Sequence, residues 1–519
     1  MRQRGVKRLA LALVAAASIA LGSGMAAAEE ARSVLEEILT IMRQSGQITE
    51  EQKKALLQRA EQEAQQAKAE REREGQDRVS ALQAGVENGR PFLRSADGDF
   101  RLEIGGRFQL DFDGAEDKAR LLTGATLNDQ FLVRRARIEL KGSFFKWIDF
   151  LIECEFTRSD QKNGFCLNDA YTDLRFVPEL TMRLGQFKEP FSFEELTSDN
   201  TIDFVERSII NELSPSRDVG AVVRGALFGG IVGYDFGVFN GAASNGSATN
   251  NFDTNNGKDI AGRLALAPFR PGGNYWLKAL QVAGSFTWGD GGGGSTSNLS
   301  PQGRTAARTA NRFVYFAQQP VRGDRTRVGT DLAWAVGPAS LKFEWAEQTN
   351  ERKRCTGAPT SCTGGADLAD LVARGWYVSA TWLLTGEDKP LVGPVVPRRA
   401  FNPASGTFGP GALEVALRYA ELSFSSDDPV DFFDGNLANG ITGAGRTAEN
   451  GVEALTAGVN WYWTSRVRTM LNWTHYWYDS ALGTPFSCSR GFTTCGAGQL
   501  RRVQDPTSWE VLSRIQFWF

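Results

Sequence analysis

The 519-residue sequence has a single histidine and, after its N-terminal region, no long apolar run. One histidine argues against a histidine-rich metal site. A membrane-spanning helix needs about 20 consecutive apolar residues, and no such stretch follows residue 21. If the protein lies in a membrane, its strands must therefore close into a barrel that satisfies every backbone hydrogen bond.

Motifs for catalysis, metal binding and nucleotide binding are also missing. His475 has no evident serine or acid partner, and it stands among aromatic residues typical of an interfacial belt. The glycine-rich run 289–294 lacks the GK[ST] ending of a phosphate-binding loop. The cysteines show no CxxC spacing. We therefore predict no enzyme activity, no catalytic residue, no metal site and no cofactor.

The N-terminus has the three parts of a secretory signal peptide. Basic residues precede an apolar run from Leu9 to Leu21, and the small residues Ala26 to Ala28 offer a cleavage site. We predict a signal peptide over residues 1–28. Its removal takes away four positive charges and shifts the formal net charge from −3 to about −7. An acidic mature chain is not expected to bind nucleic acid.

Export permits disulfide bonds. The six cysteines fall into three pairs, each flanking a short polar segment: Cys154 and Cys166, Cys355 and Cys362, Cys488 and Cys495. This spacing favours three local disulfides over metal ligation.

Residues 29–84 are predicted to be a helical, periplasmic segment. Apolar residues recur at helical spacing between Val34 and Met42, and Thr49 begins a pattern that can cap a second helix. The second helix has few large apolar residues, so a weak coiled coil, a solvated single helix and partial disorder all stay open. A coiled coil that supports oligomerisation is favoured. Residues 85–98 are predicted to be a linker.

From Phe100 onward the period of the sequence changes to two. Apolar and charged side chains alternate in residues 100–112, and again in 508–519, where Glu510 and Arg514 alternate with aromatic and aliphatic residues. A strand with one apolar face and one charged face suits a wall between lipid and water. The last stretch also resembles the C-terminal strand of bacterial outer-membrane barrels.

Short turns and long polar segments alternate between these stretches, as is typical of outer-membrane barrels. Counting hairpins over residues 99–519 predicts an all-β transmembrane barrel of about 16 antiparallel strands in the bacterial outer membrane. The connection 386–411 is an exception, because it is long yet falls on the short-turn side. A soluble β-sandwich is the alternative, but it would have to bury many charged faces.

Inward-facing arginines are the candidates for contact with a solute. The lumenal parity includes Arg107, Arg135, Arg137, Arg224 and Arg263. Rings of basic side chains favour anions, and the planar guanidinium can donate two parallel hydrogen bonds to phosphate. Inward acids would balance these charges and make the lumen weakly selective. Alternation alone does not decide between the two interpretations.

Residues 189–219 hold more apolar side chains than a solvated loop needs. Phe191, Phe193, Ile202 and Phe204 are among them. We predict that this segment folds inward, packs on the barrel wall and narrows the channel. Packing against a neighbouring subunit is the alternative.

Several stretches resemble the phosphate-selective porin O and P family. The most specific is GQFKEPFSFEELTS, residues 185–198. Further similar stretches are QFLVRRARIELKG (130–142), NDAYTDLRF (168–176), LLTGE (383–387) and GALEVALRYAEL (411–422). The resemblance covers roughly residues 90–519, and a signal peptide followed by a short coiled coil is also similar to many members.

The resemblance implies a homotrimeric outer-membrane barrel with an inward-folded loop and an arginine-lined anion path. It places Arg134, Arg135 and Arg137 at or near the constriction, Lys188 at the root of the loop and Asp169 beside the anion site. Arg134 falls on the lipid-facing parity, so its inclusion requires a β-bulge or a register slip.

The predicted function is passive diffusion of small anions, with phosphate or polyphosphate first among them, across a lipid outer membrane. One alternative is a general, weakly selective diffusion pore. Another is a structural or adhesive barrel whose coiled coil contacts the cell wall. Anion preference in a salt gradient would separate the first two, and an absence of conductance would favour the third.

Overall fold

The computed structural model describes most of the chain after residue 35. The described residues are 36–46, 48–80, 82–87, 89–115, 129–157, 167–241, 257–290, 300–307, 314–316, 321, 323–353, 367–427, 449–478 and 507–519. The predicted signal peptide lies outside them, as do Cys166, Cys355, Cys362, Cys488 and Cys495.

Two helices, α1 over residues 36–44 and α2 over Glu50–Ser80, form the N-terminal part. Thr49 caps α2, because Gln52 N donates to Thr49 Oγ1 at 3.2 Å and Thr49 N donates to Gln52 Oε1 at 3.0 Å. Leu39, Met42 and Ala60 pack together in a small buried cluster. Within the described part of the chain, no helix combines the length and the apolar character needed to cross a bilayer.

The residues assigned to a linker, 85–98, contain more regular structure than that assignment implies. Two short strands, β1 (Gln83–Glu87) and β2 (Arg90–Arg94), occupy much of this stretch. Gly89 stands between them with a φ of 73°, a conformation that glycine adopts without strain. The Asn-Gly pair at 88–89 is a hairpin signal in the sequence.

Sixteen antiparallel strands in the described ranges form a closed β-barrel, which confirms the predicted fold class. They are β3 (Phe100–Ala115), β4 (Gln130–Phe144), β5 (Ile148–Glu155), β6 (Leu167–Val177), β7 (Leu180–Lys188), β8 (Arg217–Leu227), β9 (Val232–Phe239), β10 (Asp259–Leu266), β11 (Gln281–Asp290), β14 (Asp324–Val336), β15 (Ala339–Lys353), β16 (Asp367–Leu383), β19 (Ala412–Ser425), β20 (Glu449–Tyr462), β21 (Val467–Tyr478) and β22 (Thr507–Trp518). Two small hairpins lie in the connections: β12 (Gly303–Arg304) with β13 (Val314–Phe316), and β17 (Phe401–Asn402) with β18 (Thr407–Phe408).

Strand β22 closes the barrel by pairing with β3. Phe519 N donates to Gly106 O at 3.0 Å, and Gly106 N donates to Phe519 O at 3.1 Å. The Phe519 ring covers Gly106, where a Cβ atom would lie only 2.7 Å from Phe519 Cζ. Closure gives both strands a partner on each side and leaves the barrel itself without an edge.

Exposure along the strands is the reverse of that in a soluble protein. On β14, Arg325 and Arg327 are buried whereas Val328 is 46% exposed. On β22, Arg514 is buried whereas Phe517 is 46% exposed. Apolar side chains therefore face outward and charged side chains face the lumen, as expected for a barrel in lipid. This pattern rules out the β-sandwich alternative, whose interior would be apolar.

The connections differ in length between the two ends of the barrel. Short turns at 145–147, 178–179 and 337–338 lie at one end, which is the periplasmic end in outer-membrane barrels. The long connection 384–411 lies at this same end, in agreement with the exception noted in the sequence. A second long connection there, 267–280, was not predicted.

Candidate functional site

The chain between β7 and β8, residues 189–216, folds into the barrel; we call it the inward segment. It contains the short helix α3 (Phe193–Leu196), where Ser192 Oγ accepts a hydrogen bond from Glu195 N at 3.1 Å. A 3₁₀ turn follows at Ile209–Leu213. Local capping therefore gives the segment a defined backbone without a sheet partner.

Apolar residues fix one side of the inward segment. Phe191, Ile209, Ile210 and Leu213 are buried in a core that also includes side chains of β15, β16, β19, β20 and β21. Gly375 on β16 leaves the room this packing needs, because a Cβ atom there would lie 2.8 Å from Ile210 Cγ2. The apolar content of the segment is thus explained by contact with the lumenal face of its own barrel.

Two further connections enter the lumen beside the same strands. Tyr315 and Phe316 of β13 belong to the same buried core, and Arg304 Nε lies 2.7 Å from Glu212 Oε1 of the inward segment. From the other end, Lys389 Nζ lies 2.9 Å from Asp203 Oδ1. This side of the lumen is therefore occupied by protein.

Charged side chains hold the opposite side of the inward segment. Asp199 Oδ2 lies 3.1 Å from Arg135 Nε and 3.3 Å from Arg137 Nη1, and Asp199 Oδ1 lies 2.7 Å from Arg207 Nη2. Burial alone would raise the pKa of Asp199, but these three guanidinium groups hold the pKa well below its usual range. Asp199 is therefore an ionised anchor.

Glu206 is a second anchor of the same kind. Its Oε1 atom lies 2.8 Å from both Arg134 Nε and Arg514 Nη2. Burial opposes ionisation, yet Arg134, Arg514 and Arg135 lower the pKa of Glu206 to about 2. Glu206 is therefore ionised at neutral and at moderately acidic pH.

Strand β4 changes faces between Val133 and Arg135. Phe131 and Val133 are 75% and 43% exposed, whereas Arg135 and Arg137, on the same parity, are 4% and 8% exposed. Arg134 and Arg135 are thus adjacent in sequence, yet both bind the inward segment. Arg134 therefore reaches the inward segment, although simple alternation places its side chain on the lipid-facing side.

An open cavity of about 360 Å³ lies between the inward segment and the wall formed by β3 to β9. Its basic side chains are Arg107, Arg183, Lys188, Arg217 and Arg224. Its acidic side chains are Glu139, Glu153, Asp169, Asp199 and Asp235. Its apolar side chains are Leu151, Tyr171, Phe187, Pro190, Leu196 and Val222. A barrel of this size keeps an aqueous path unless protein fills it, so this cavity is the candidate channel.

Each base of the cavity has an acidic neighbour. The closest N···O distances are 2.8 Å for Arg107–Glu153, 2.7 Å for Arg183–Asp173, 3.4 Å for Lys188–Glu195, 2.9 Å for Arg217–Asp169 and 3.1 Å for Arg224–Asp235. In four of these five pairs the base is the more exposed partner. The clearest case is Arg224, 39% exposed against 20% for Asp235.

The structure separates the eight predicted pore residues into three groups. Arg107, Asp169, Lys188 and Arg224 line the cavity. Arg134, Arg135 and Arg137 lie behind it and bind the inward segment. Arg263 is elsewhere, with Nη1 2.5 Å from Asp331 Oδ2.

Arg183 and Arg217 line the cavity but are not among the predicted pore residues. Arg183 was on the predicted inward parity, but alternation gave no reason to select it over other arginines. Arg217 fell within the predicted loop 189–219, whereas β8 begins at Arg217.

Cys154 on β5 is disulfide-bonded. It is the one cysteine within the described ranges. The pairing with Cys166 and the two other predicted disulfides stay predictions, because their remaining cysteines lie outside those ranges.

Comparison with known proteins places the chain in a family. The model of the family described as phosphate-selective porin O and P matches residues 102–481. No curated protein is similar enough to the chain to count as a relative.

Solved structures similar to this chain are outer-membrane proteins of low identity. OmpT of Vibrio cholerae is 8% identical, with 81% of this chain and 98% of that chain covered and a TM-score of 0.45. The outer-membrane channel DcaP of Acinetobacter baumannii is 10% identical, with 82% and 99% covered and a TM-score of 0.44. OmpF of Salmonella typhi is 10% identical, with 81% and 98% covered and a TM-score of 0.43.

The family match spans most of the barrel, including β4, the inward segment and the cavity. The chain therefore belongs to the phosphate-selective porin O and P family, and its barrel is a porin of the bacterial outer membrane.

Proposed function

We propose that the cavity passes small anions, phosphate among them, with a modest preference over cations. The observation that carries the proposal is the exposure of the cavity charges, since bases are more exposed than their acidic partners in four of five pairs. In each of these four pairs, a solute meets the guanidinium or ammonium group before the partner carboxylate. Exposed bases raise the local concentration of anions.

The preference is modest because the lining is balanced in number, with five bases and five acids. Each guanidinium already shares its charge with a carboxylate, so an anion is attracted without being held tightly. Conduction requires a site that is favourable to enter and weak enough to leave. Balanced charge is also the observation that favours the second candidate, a general diffusion pore.

Reversal potentials in planar bilayers test the proposal. Under a potassium chloride gradient, the wild-type channel is expected to show higher chloride than potassium permeability. The double variant Arg183→Gln with Arg224→Gln should shift the reversal potential toward cation preference. Arg374→Gln is the matched control, because Arg374 is 57% exposed on β16 and lies outside the cavity.

Three outcomes separate the candidates. A chloride preference that the double variant reduces and the control keeps supports the proposal. Equal permeability of potassium and chloride in the wild-type channel favours the general pore. An absence of conductance in correctly folded barrels favours a structural role.

We also propose that three copies of the chain assemble through the wall around β5, β9 and β10. These strands have eight residues each, fewer than the ~9–11 that a strand needs to cross a bilayer. By contrast, β15 and β16 have 15 and 17 residues. Neighbouring copies would cover the short wall and relieve the mismatch with lipid. Native mass spectrometry in detergent should give a trimer mass, and a monomer mass would contradict the assembly.

A further inference from the structure

An apolar strip runs along the cavity beside its exposed bases. Leu151 and Tyr171 contribute from the barrel wall, and Leu196 contributes from the inward segment. Phe187 and Val222 also border the cavity, but they are only 3% and 1% exposed. Lumenal positions of a porin are ordinarily polar. Apolar side chains next to an aqueous path therefore suggest contact with an apolar part of a solute.

The strip rests on a packed support. Phe187, Val222, Phe239 and Ala261 form a buried cluster on the lumenal side of β7 to β10, and Tyr171 packs against it. The ring centroids of Tyr171 and Phe187 are 6.0 Å apart, and those of Phe187 and Phe239 are 5.4 Å apart, both edge to face. Such packing fixes the orientation of the Tyr171 ring.

A positive group is fixed directly on this strip. Arg183 Cζ lies 3.8 Å from the centroid of the Tyr171 ring. Asp173 accepts hydrogen bonds from Arg183 Nε and Nη2, both at 2.7 Å. The ring and the carboxylate hold the guanidinium in one place, so a charged group and an apolar surface lie side by side at the cavity wall.

Arg224 adds a second positive group to the same cavity. Its side chain is 39% exposed, the largest exposure among the paired bases that line the cavity. On the opposite side, Leu196 is 39% exposed. An anionic group near Arg183 and Arg224 would therefore leave the rest of its molecule between apolar side chains.

We propose that the preferred solutes of this channel are aromatic monocarboxylates of about the size of benzoate. The carboxylate would approach Arg183 and Arg224, while the ring would lie against Tyr171 and Leu196. The inference rests on the proposed anion channel and narrows its solute class. A hydrated inorganic anion gains nothing from the strip, whereas contact with it removes apolar surface of a ring from water, which is favourable.

The acids of the cavity favour one negative charge over two. Asp169, Asp199 and Asp235 line the same space as the bases. Because they balance the charge of the bases, a second carboxylate on the solute would gain little further electrostatic attraction. The volume of about 360 Å³ falls in the range of sites for one small organic molecule.

Bi-ionic potentials test the inference on the unaltered channel. Potassium chloride faces potassium benzoate, acetate or phosphate across the bilayer, and relative permeabilities follow from the reversal potentials. Size alone would make benzoate slower than acetate. We expect benzoate to permeate at least as well as acetate and severalfold better than phosphate. A benzoate permeability below that of acetate would overturn the inference.

Two variants then locate the effect. Tyr171→Ser should lower the ratio of benzoate to acetate permeability severalfold, whereas Tyr171→Phe should keep it, because only the ring is required. Tyr275→Ser is the matched control, since Tyr275 is 51% exposed in the connection 267–280. An unchanged ratio in Tyr171→Ser would overturn the assignment of the strip.

The outcomes also distinguish this inference from the channel proposal. Chloride preference without benzoate preference would keep the anion channel and refute the solute class. Benzoate preference over acetate with equal chloride and potassium permeability would refute the general anion preference and keep the apolar strip.

Discussion

Single buried carboxylates determine where the inward segment lies. Asp203 Oδ2 is 2.6 Å from Lys342 Nζ, and its Oδ1 is 2.9 Å from Lys389 Nζ. The three side chains are almost fully buried. Removing one partner of a buried ion pair typically costs about 3–5 kcal/mol, because the remaining charges lose their compensation.

The substitution Asp203→Asn should therefore lower the melting temperature in detergent and increase the current noise of single channels, as the inward segment loosens. Circular dichroism and bilayer recording measure the two effects. Asp388→Asn makes the same charge change at an exposed neighbour of Lys389 and should behave like the wild type. Quiet channels with an unchanged melting temperature in Asp203→Asn would show that other contacts hold the segment.

Glu189 makes the start of the inward segment sensitive to pH. Its carboxylate is buried, and neither oxygen has a hydrogen-bond partner within the described ranges. Burial, followed by the nearby Asp259, raises the pKa of Glu189 from 4.5 to about 8; Asp218 adds to this effect, and Arg327 and Arg325 oppose it.

The raised pKa of Glu189 gives a stability change of definite sign. Between its ordinary pKa of 4.5 and about 8, the folded chain keeps a proton that the unfolded chain has lost. Folding stability should therefore fall as pH rises through this window. The variant Glu189→Gln lacks this contribution. Its melting temperature should be higher than that of the wild type at pH 9 and equal to it at pH 4. Equal melting temperatures of the variant and the wild type at both pH values would contradict the raised pKa of Glu189.

Adjacent arginines on β4 show a limit of alternation at the level of residues. The period of two placed Arg135 and Arg137 inward, but it placed Arg134 on the lipid side. The exposure of Phe131 and Val133 shows that the face changes between Val133 and Arg135. Apolar residues switch parity from Phe131 and Val133 to Ile138 and Leu140, but this shift does not show at which residue the face changes. Only the family resemblance therefore pointed to Arg134.

At the level of elements, the inward segment was predictable from the sequence. The two other connections that enter the lumen were not. Its phenylalanines and isoleucines exceed what a solvated loop carries, which is a signal of burial. The connection containing β13 is mostly polar in sequence, and among its described residues only Tyr315, Phe316 and Val321 belong to this core. Two aromatic residues in a long polar connection are too weak a signal to predict that it folds inward.

The fit of the inward segment against β16 gives a test at this level. Gly375→Val should place a side chain where Ile210 and the backbone of Glu421 already lie, and overpacking of this kind costs about 1–3 kcal/mol. We expect a lower melting temperature and an altered single-channel conductance. Gly284→Val is the control, because nothing lies within 4 Å of a Cβ atom there. Equal effects of the two variants would argue against tight packing at Gly375.

At the level of the whole molecule, the barrel followed from the sequence because two independent signals agreed. Stretches of alternating apolar and charged residues defined the strands, and alternating connection lengths defined the two ends of the barrel. The channel lining did not follow, because it depends on which charges remain exposed after pairing. Arg107 and Arg137 share a parity in the alternation, yet only Arg107 lines the cavity.

Closure through β22 and β3 gives a prediction for the molecule as a whole. In a closed barrel, amides of β3 and β22 should exchange with solvent as slowly as those of β15 and β16. Hydrogen exchange followed by mass spectrometry in detergent measures this directly. Rapid exchange confined to β3 and β22 would indicate a seam that opens.

The core inside the lumen has a consequence for how the porin sieves solutes. Aromatic and aliphatic side chains pack the inward segment tightly against one wall. The aperture should therefore keep a constant width and not widen as each solute passes. The size limit should then be a sharp threshold, the same at low and high applied voltage. Discrimination below that threshold would come from the chemistry of the gap, with no step of opening or closing to slow the flux.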